Sequence, residues 1–174
     1  IPSTMKSMRS FITNCVNFNQ PIDIPEGCES FSITNCHNFN QPLTLPSTMS
    51  NVSSMLQNCS KYNQAIRIPE GVQNMAYMLS NCSGFNNDVY IPDGIQNMAY
   101  AFYNTSLNRD VHIPMTVKNL YNAFGASKFA ANLYIDGTYD RGIYATDMLF
   151  GISRDLRKNV FFNSCFNSTF NNRY

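Results

Sequence analysis

The sequence predicts an α/β fold, a leucine-rich-repeat-like solenoid with short parallel strands on one face and short helices on the other. The first observation behind this prediction is an apolar-Pro pair that recurs about every 22 residues. The second is an Asn-Cys pair that returns at the same place between those pairs. The third is a change of period within each unit, from apolar residues three or four apart to apolar residues two apart.

The repeat units are defined by the apolar-Pro pairs. These pairs are Ile1-Pro2, Ile24-Pro25, Leu45-Pro46, Ile68-Pro69, Ile91-Pro92 and Ile113-Pro114. The tandem repeats cover residues 1–134, as units 1–23, 24–44, 45–67, 68–90, 91–112 and 113–134. The pattern frays after Ile135, so residues 135–174 are predicted to be divergent repeats that form a C-terminal cap.

The end of each unit predicts a strand, because its apolar residues are two apart and share one face. The pairs are Ile22/Ile24, Leu43/Leu45, Ile66/Ile68, Val89/Ile91, Val111/Ile113 and Leu133/Ile135. The middle of each unit predicts a helix of two or three turns, because residues such as Val72, Met75 and Leu79 have helical spacing. We expect stacked units to share one core, with their strands in a single parallel sheet.

Three columns of residues recur at fixed places in the units and predict a structural ladder. We expect the asparagine amides to form hydrogen bonds with backbone groups at sharp turns. Several of these asparagines also lie in Asn-x-Ser/Thr glycosylation sequons, which the repeat motif itself generates. The cysteines are interpreted as small buried residues, with disulfides or zinc ligation as the alternatives. The columns are Asn14, Asn35, Asn58, Asn81 and Asn104; Cys15, Cys36, Cys59 and Cys82; and Phe18, Phe39, Tyr62 and Phe85.

Composition argues against several classes of partner. The chain has 12 Lys and Arg against 11 Asp and Glu, and only 13% of its residues are charged. Nothing in this balance attracts nucleic acid. No stretch approaches 18 consecutive apolar residues, so we expect no membrane insertion.

No catalytic residue, metal site or cofactor is predicted. Cys36 and His37 are adjacent, but neighbouring side chains diverge, whereas a nucleophile and its base must converge. Asp88 and Asp110 occupy equivalent positions in successive units and could clamp a cation. Two carboxylates are too few for calcium, and a solvated strand edge is the alternative. We therefore do not expect an enzyme.

The candidate binding residues lie on the exposed face of the unit-end strands, where the residue type differs from one unit to the next. We name this surface the outer strand face, and its predicted ligand is a protein or a glycan. The alternative is that these residues face solvent under no constraint. The outer strand face comprises Arg67, Tyr90, His112 and Tyr134, with Asp88 and Asp110 beside them.

The units resemble the BspA-like leucine-rich repeats of bacterial surface proteins, whose motif runs V-x-N-M-x-x-M-F-x-x-C-x-x-F-N-Q-x-I. The match is close over residues 68–88 and 45–66 and extends over residues 1–134. The chain departs from the motif at Thr105, where the family has Cys, at Leu107, where it has Phe, and after Ile135. Similar repeats also occur in bacteriophage structural proteins.

This resemblance implies a non-enzymatic adhesion module, displayed outside the cell and recognising a protein or glycan on a host or partner cell. The alternative is a structural spacer or assembly element of a phage virion, on the tail or capsid. The chain opens at Ile1-Pro2, in the middle of a repeat, so we expect it to belong to a larger chain or assembly.

Overall fold

The structure, a computed structural model, describes residues 4–127, 131–135 and 160–162, and these contain seven short β-strands. Each strand pair is parallel. The strands are β1 (Ser7–Thr13), β2 (Ser30–Thr34), β3 (Ile66–Arg67), β4 (Val89–Tyr90), β5 (Val111–Ile113), β6 (Leu133–Ile135) and β7 (Val160–Phe162).

The strands belong to three separate small sheets. Strand β1 pairs with β2, β3 pairs with β4, and the third sheet has the order β5-β6-β7. Ile66 lies opposite Val89, and Val111 lies opposite Leu133. Each of these pairs joins the same position of consecutive units, so units that are neighbours in sequence are also neighbours in space.

A second line of parallel contacts runs through the middle of the units. Ser30 in β2 is bridged to Asn51, and single bridges then join Asn51 to Asn74, Asn74 to Asn97 and Asn97 to Asn119. At each of these asparagines the side-chain oxygen accepts a hydrogen bond of 2.8 to 3.0 Å from the N–H two residues later. This local bond favours a turn over a continuous helix.

The middle of each later unit is a series of turns. Met55 N–H donates to the Val52 carbonyl at 3.1 Å, and Cys59 N–H donates to the Leu56 carbonyl at 3.0 Å. These bonds span three residues, as in β-turns. Leu56 N–H instead donates to the carbonyl of Met78 in the next unit, at 2.9 Å. Some backbone N–H groups of a unit thus bond within its own turns, and others bond to carbonyls of the next unit.

The predicted α/β leucine-rich-repeat-like solenoid is therefore wrong. The described residues contain no α-helix, and their strands form three small sheets instead of one continuous wall. In an α-helix each N–H bonds to the carbonyl four residues earlier, whereas many of these N–H groups bond to another unit. Left-handed backbone also interrupts the middle segments of the later units, as at Ser54 with φ of 54° and Asn122 with φ of 52°.

The spacing of apolar residues was misleading because successive turns reproduce it. Met49, Val52, Met55 and Cys59 are all buried, and they are three or four residues apart. Turns of about three residues, each with one side chain inward, therefore share their period with a helix face. The first two units differ further from the prediction, since their middle segments contain the strands β1 and β2 where helices are predicted.

The unit ends match the period-two prediction only in part. Strands β3, β4, β5 and β6 lie at four of the six predicted positions. Residues 22–24 and 43–45 are not in strands. The pairing of Ile66 with Val89 is therefore not continued to Leu43 or Ile22.

The core is one cluster of buried side chains that extends from Met8 to Ile135. Its largest fully buried side chains include Phe31, Phe39, Tyr62, Phe85, Phe102 and Phe124. The predicted cap, residues 135–174, lies outside the described residues apart from Ile135 and Val160–Phe162, and the predicted unit boundaries stay a prediction. No helix long and apolar enough to cross a membrane occurs in the described part of the chain.

Candidate functional site

The asparagine column forms a line of hydrogen bonds between side chains of consecutive units. Nδ2 of Asn35 donates to Oδ1 of Asn14 at 2.8 Å, and the same contact continues at 2.6 Å to Asn58, 2.8 Å to Asn81 and 3.1 Å to Asn104. These five residues have φ between 53° and 64°, a region that Asn enters more readily than most residues. The amides therefore pair with each other, where the sequence argument expected them to pair with the backbone.

The cysteine column consists of free thiols. Cys15 is exposed, whereas Cys36, Cys59 and Cys82 are fully buried. The Cys82 thiol donates to the Leu56 carbonyl at 3.0 Å. Burial raises the pKa of Cys59 to about 12 and also raises the pKa of Cys36 and of Cys82. These thiols stay neutral near pH 7, which makes them poor nucleophiles and poor metal ligands.

The side chains of Cys36 and His37 lie in different environments. Cys36 is buried and His37 is exposed. In the described ranges, no group of three or more His, Cys, Asp or Glu residues could hold a metal ion. Neither residue is part of the outer strand face.

The aromatic column stacks its rings from unit to unit. Ring centroids are 5.8 Å apart between Phe18 and Phe39, 6.0 Å between Phe39 and Tyr62, and 6.2 Å between Tyr62 and Phe85, with planes within 13° of parallel. The last three rings are fully buried. The Tyr62 hydroxyl is buried without a hydrogen-bond partner among the described residues, and burial raises its pKa.

On the outer strand face, Arg67 and Tyr90 form one packed group. They are register partners in β3 and β4, and the Arg67 guanidinium carbon lies 3.9 Å from the centre of the Tyr90 ring. The Tyr90 hydroxyl donates to Oε1 of Glu70 at 3.0 Å, which raises the pKa of that hydroxyl. The same Oε1 lies 3.7 Å from an Arg67 nitrogen. This cation–π contact and its shared carboxylate restrict two long side chains before any ligand arrives.

A groove of about 760 Å³ lies against this group. It is lined by residues 43–45 and 65–71, together with Glu26, Ser47, Asp88 and Tyr90. The groove coincides with the break in strand pairing, because residues 43–45 do not continue the β3-β4 sheet. Its charged lining is mixed, with Glu26, Glu70 and Asp88 beside Arg67. The interruption therefore gives the outer strand face a concave, partly apolar surface with fixed polar groups.

A second group on the same face joins β5 and β6. His112 and Tyr134 are register partners, and their rings stack with centroids 4.7 Å apart. The Asp110 carboxylate accepts hydrogen bonds from the backbone N–H and the side chain of Asn132, at 2.9 and 3.2 Å. The backbone bond is the main reason why the pKa of Asp110 is lowered.

The predicted face residues include two contact groups, Arg67 with Tyr90 and His112 with Tyr134. Tyr90 in β4 and His112 in β5 belong to different sheets. Asp88 forms an ion pair with Arg109 at 3.3 Å, while Asp110 bonds to Asn132. The two carboxylates therefore have separate partners, and they do not form the cation clamp considered from the sequence.

Sequence reasoning missed two sets of residues. Glu70 joins the Arg67 group, and its position three residues after Arg67 was the available signal. The other set is an exposed aromatic cluster, which we name the tyrosine patch. A visible signal was the segment NMAY, which occurs in two consecutive units. The tyrosine patch consists of Tyr77, Tyr100, Tyr103 and Tyr121.

Comparison with known proteins adds a family but no individual relative. No curated protein matches the chain. No solved structure matches it either. The matching family model covers residues 2–93 and 28–135, and these spans together include all the described units. The chain belongs to the family described as "Mycoplasma protein of unknown function, DUF285".

Proposed function

We propose that this chain is a non-enzymatic binding module that engages a protein or a glycan through its outer strand face. The observation that carries the proposal is the groove beside Arg67, Tyr90 and Glu70. Ligand sites are typically concave and largely apolar, with a few polar groups held in place. This groove combines apolar lining residues such as Leu43, Ile66 and Ile68 with a guanidinium, a phenol and a carboxylate that already contact one another.

The side chains at this groove suit recognition. Tyr and Arg are the residue types most often found to dominate binding energy, because they combine apolar area with hydrogen-bond donors. Here the Tyr90 side chain contacts Glu70 and Arg67, and these contacts reduce the conformational entropy that it loses on binding. His112 and Tyr134 offer a second stacked pair on the same face of the strands.

We further propose that the chain acts as the BspA-like resemblance implies, as an adhesion module displayed on a cell surface. The repeat motif over residues 1–134 supports this reading. The alternative is a structural spacer or assembly element of a virion. A spacer needs the contacts between units but makes no use of a groove with preorganised polar groups, which is why the adhesion role is preferred.

The test uses the whole chain and compares one face variant with a matched control. Tyr90→Ala removes the ring under Arg67, while Asp23→Ala removes an exposed side chain at the equivalent position of the first unit. Binding to a glycan array and to purified surface-protein fractions is measured for both, with thermal unfolding as the folding check. We expect Tyr90→Ala to weaken binding at least about tenfold and Asp23→Ala to leave it unchanged.

Two outcomes contradict the proposal. Equal binding by the chain and by Tyr90→Ala would place the ligand away from the groove. If no component of either panel bound the parent chain, the adhesion role would be lost and the spacer alternative favoured. The Tyr134→Ala variant separates the two groups of the face, because it disturbs the His112 stack and leaves Arg67 and Tyr90 intact.

A further inference from the structure

We propose that the tyrosine patch is a second ligand surface, which binds an uncharged glycan. The rings of Tyr77 and Tyr100 stack with centroids 4.8 Å apart and planes 6° from parallel. Tyr121 and Tyr103 meet the Tyr100 ring edge-on at 5.4 and 5.5 Å. Tyr77 and Tyr121 are 40% and 42% exposed, so the cluster lies on the surface.

The patch is separate from the outer strand face. Its residues lie in the middle turns of three consecutive units, whereas Arg67, Tyr90, His112 and Tyr134 lie in the unit-end strands. Tyr77 N–H donates to the Ala99 carbonyl and Tyr100 N–H donates to the Tyr121 carbonyl, which aligns these turns. The inference does not depend on the function proposed for the strand face.

The backbone at the patch is unfavourable for tyrosine. Tyr77 and Tyr100 have φ of 58° and 57°, a left-handed conformation in which a bulky side chain is an outlier. The equivalent positions of the flanking units hold Ser54 and Asn122, also with positive φ. The fold therefore accepts a small polar residue at this position. Tyr77 is strained and exposed, and Tyr100 is strained and half-buried; backbone strain of this kind is typical of sites where a side chain serves binding.

The sequence segments that carry the patch contain one charged residue, Lys118. Residues 47–60, 72–87 and 95–108 contain no charged side chain, and residues 115–127 contain only Lys118. Exposed Gln73 and Gln96 precede Tyr77 and Tyr100 by four residues. A polyanion or a charged protein surface would find almost no complementary charge here. Phenol hydroxyls, amides and apolar rings instead match the hydroxyl groups and C–H faces of a neutral sugar.

The arrangement also indicates where a sugar ring would lie. Tyr100 covers one face of the Tyr77 ring. Ser54 stands at the equivalent position of the preceding unit, so no second tyrosine stacks on Tyr77 from that position. We place one sugar ring on that side of the exposed Tyr77 ring.

The experiment is affinity electrophoresis of the whole chain in gels that contain dextran, a soluble β-glucan or a galactomannan. Hyaluronan gels serve as the polyanion arm, and titration with a proline-rich peptide serves as the peptide arm. The test variant is the double change Tyr77→Ser and Tyr100→Asn, which installs the residue types that flanking units carry at this position. Asp23→Ala, which removes an exposed side chain outside both ligand surfaces, is the control.

We expect at least one neutral polysaccharide to retard the parent chain and the Asp23→Ala control equally, relative to gels without polysaccharide. The double variant should lose affinity at least tenfold while its circular dichroism spectrum is retained. If the double variant fails to fold, Tyr121→Ala replaces it, because Tyr121 is exposed and lacks positive φ, and a loss of at least threefold is expected. The proposal is overturned if no neutral polysaccharide retards the chain, if only hyaluronan or the peptide binds, or if the variants bind as tightly as the parent.

Discussion

Two aromatic stacks run across the units of this chain, one inside and one outside. The inner stack, Phe18 to Phe85, has ring spacings near 6 Å, and three of its four rings are fully buried. The outer stack joins Tyr77 and Tyr100 at 4.8 Å on left-handed backbone at the surface. The inner rings stabilise the core by burial, whereas the outer rings remain accessible despite a local conformational cost. The same unit-to-unit geometry therefore serves stability in one place and offers a ligand surface in the other.

The largest expected effect is on the inner stack. Phe39→Ala removes a fully buried ring that contacts Phe18 and Tyr62, and it should lower the free energy of unfolding by about 3 to 5 kcal/mol. Urea denaturation followed by circular dichroism measures this loss. Phe11→Ala is the control, because Phe11 is 42% exposed and its truncation should lower the free energy of unfolding far less. Similar losses for both variants would contradict the assignment of stability to the buried column.

The buried thiols beside the inner stack should make the chain sensitive to alkali. The folded pKa of Cys59, about 12, lies above the ordinary 9.0, and the pKa values of Cys36 and Cys82 are also raised. For Cys59 the stabilising contribution is therefore complete below pH 9 and declines as the pH rises toward 12. In that window the Cys59 thiol reduces the free energy of unfolding by up to about 1.4 kcal/mol per pH unit.

Urea denaturation in the presence of a reductant, at pH 8 and at pH 10.5, tests this dependence. Cys59→Ala should show a shallower decline than the parent chain, because one raised pKa has been removed. A free energy of unfolding that is unchanged between the two pH values would contradict the burial of these thiols.

The asparagine column allows backbone strain and side-chain bonding to be separated. Asn58 has φ of 64° and bonds to Asn35 and Asn81. Asn58→Ala should lower the free energy of unfolding by about 2 kcal/mol, from a left-handed alanine and the lost bonds. Asn58→Gly should cost less, because glycine adopts this conformation freely. Thermal denaturation compares them, and equal losses would show that the left-handed backbone contributes nothing.

The smallest expected effect has the opposite sign. Tyr62 is the one phenol in a column otherwise made of phenylalanine, and its hydroxyl is buried without a partner in the described part of the chain. Tyr62→Phe should raise the free energy of unfolding by about 1 kcal/mol, because an unsatisfied buried hydroxyl is removed. A calorimetric melting temperature below that of the parent would show that the hydroxyl is bonded after all.

The repeat itself could be read from the sequence because it depends on residue identity. Equivalent residues such as Asn58 and Asn81 do lie together, and so do Phe39 and Tyr62, since each unit contacts the next at a fixed spacing. The helices could not be excluded in this way. Turns of three residues and a helix face place apolar side chains at the same intervals. The spacing of apolar residues therefore does not show which carbonyl accepts the hydrogen bond of each N–H.

The candidate site was only partly accessible from the sequence. The exposed positions of Arg67 and Tyr90 follow from the alternation of apolar and exposed residues in the unit-end strands. Their contact follows from the pairing of equivalent positions in parallel strands. The groove does not follow, because it arises where residues 43–45 fail to pair with β3 although their apolar pattern matches that of the later units. The tyrosine patch was missed because a helical reading gives no reason to look for left-handed tyrosines.

The most direct test concerns the hydrogen bond of the Leu56 N–H, which lies in a segment with helical spacing. Scalar couplings across hydrogen bonds, measured by nuclear magnetic resonance on the isotope-labelled chain, identify the carbonyl that accepts each N–H. The structure requires a coupling from Leu56 N–H to the carbonyl of Met78 in the next unit, across 2.9 Å. A coupling to Val52, four residues earlier in the same unit, would restore the helix and contradict this account of how the units are joined.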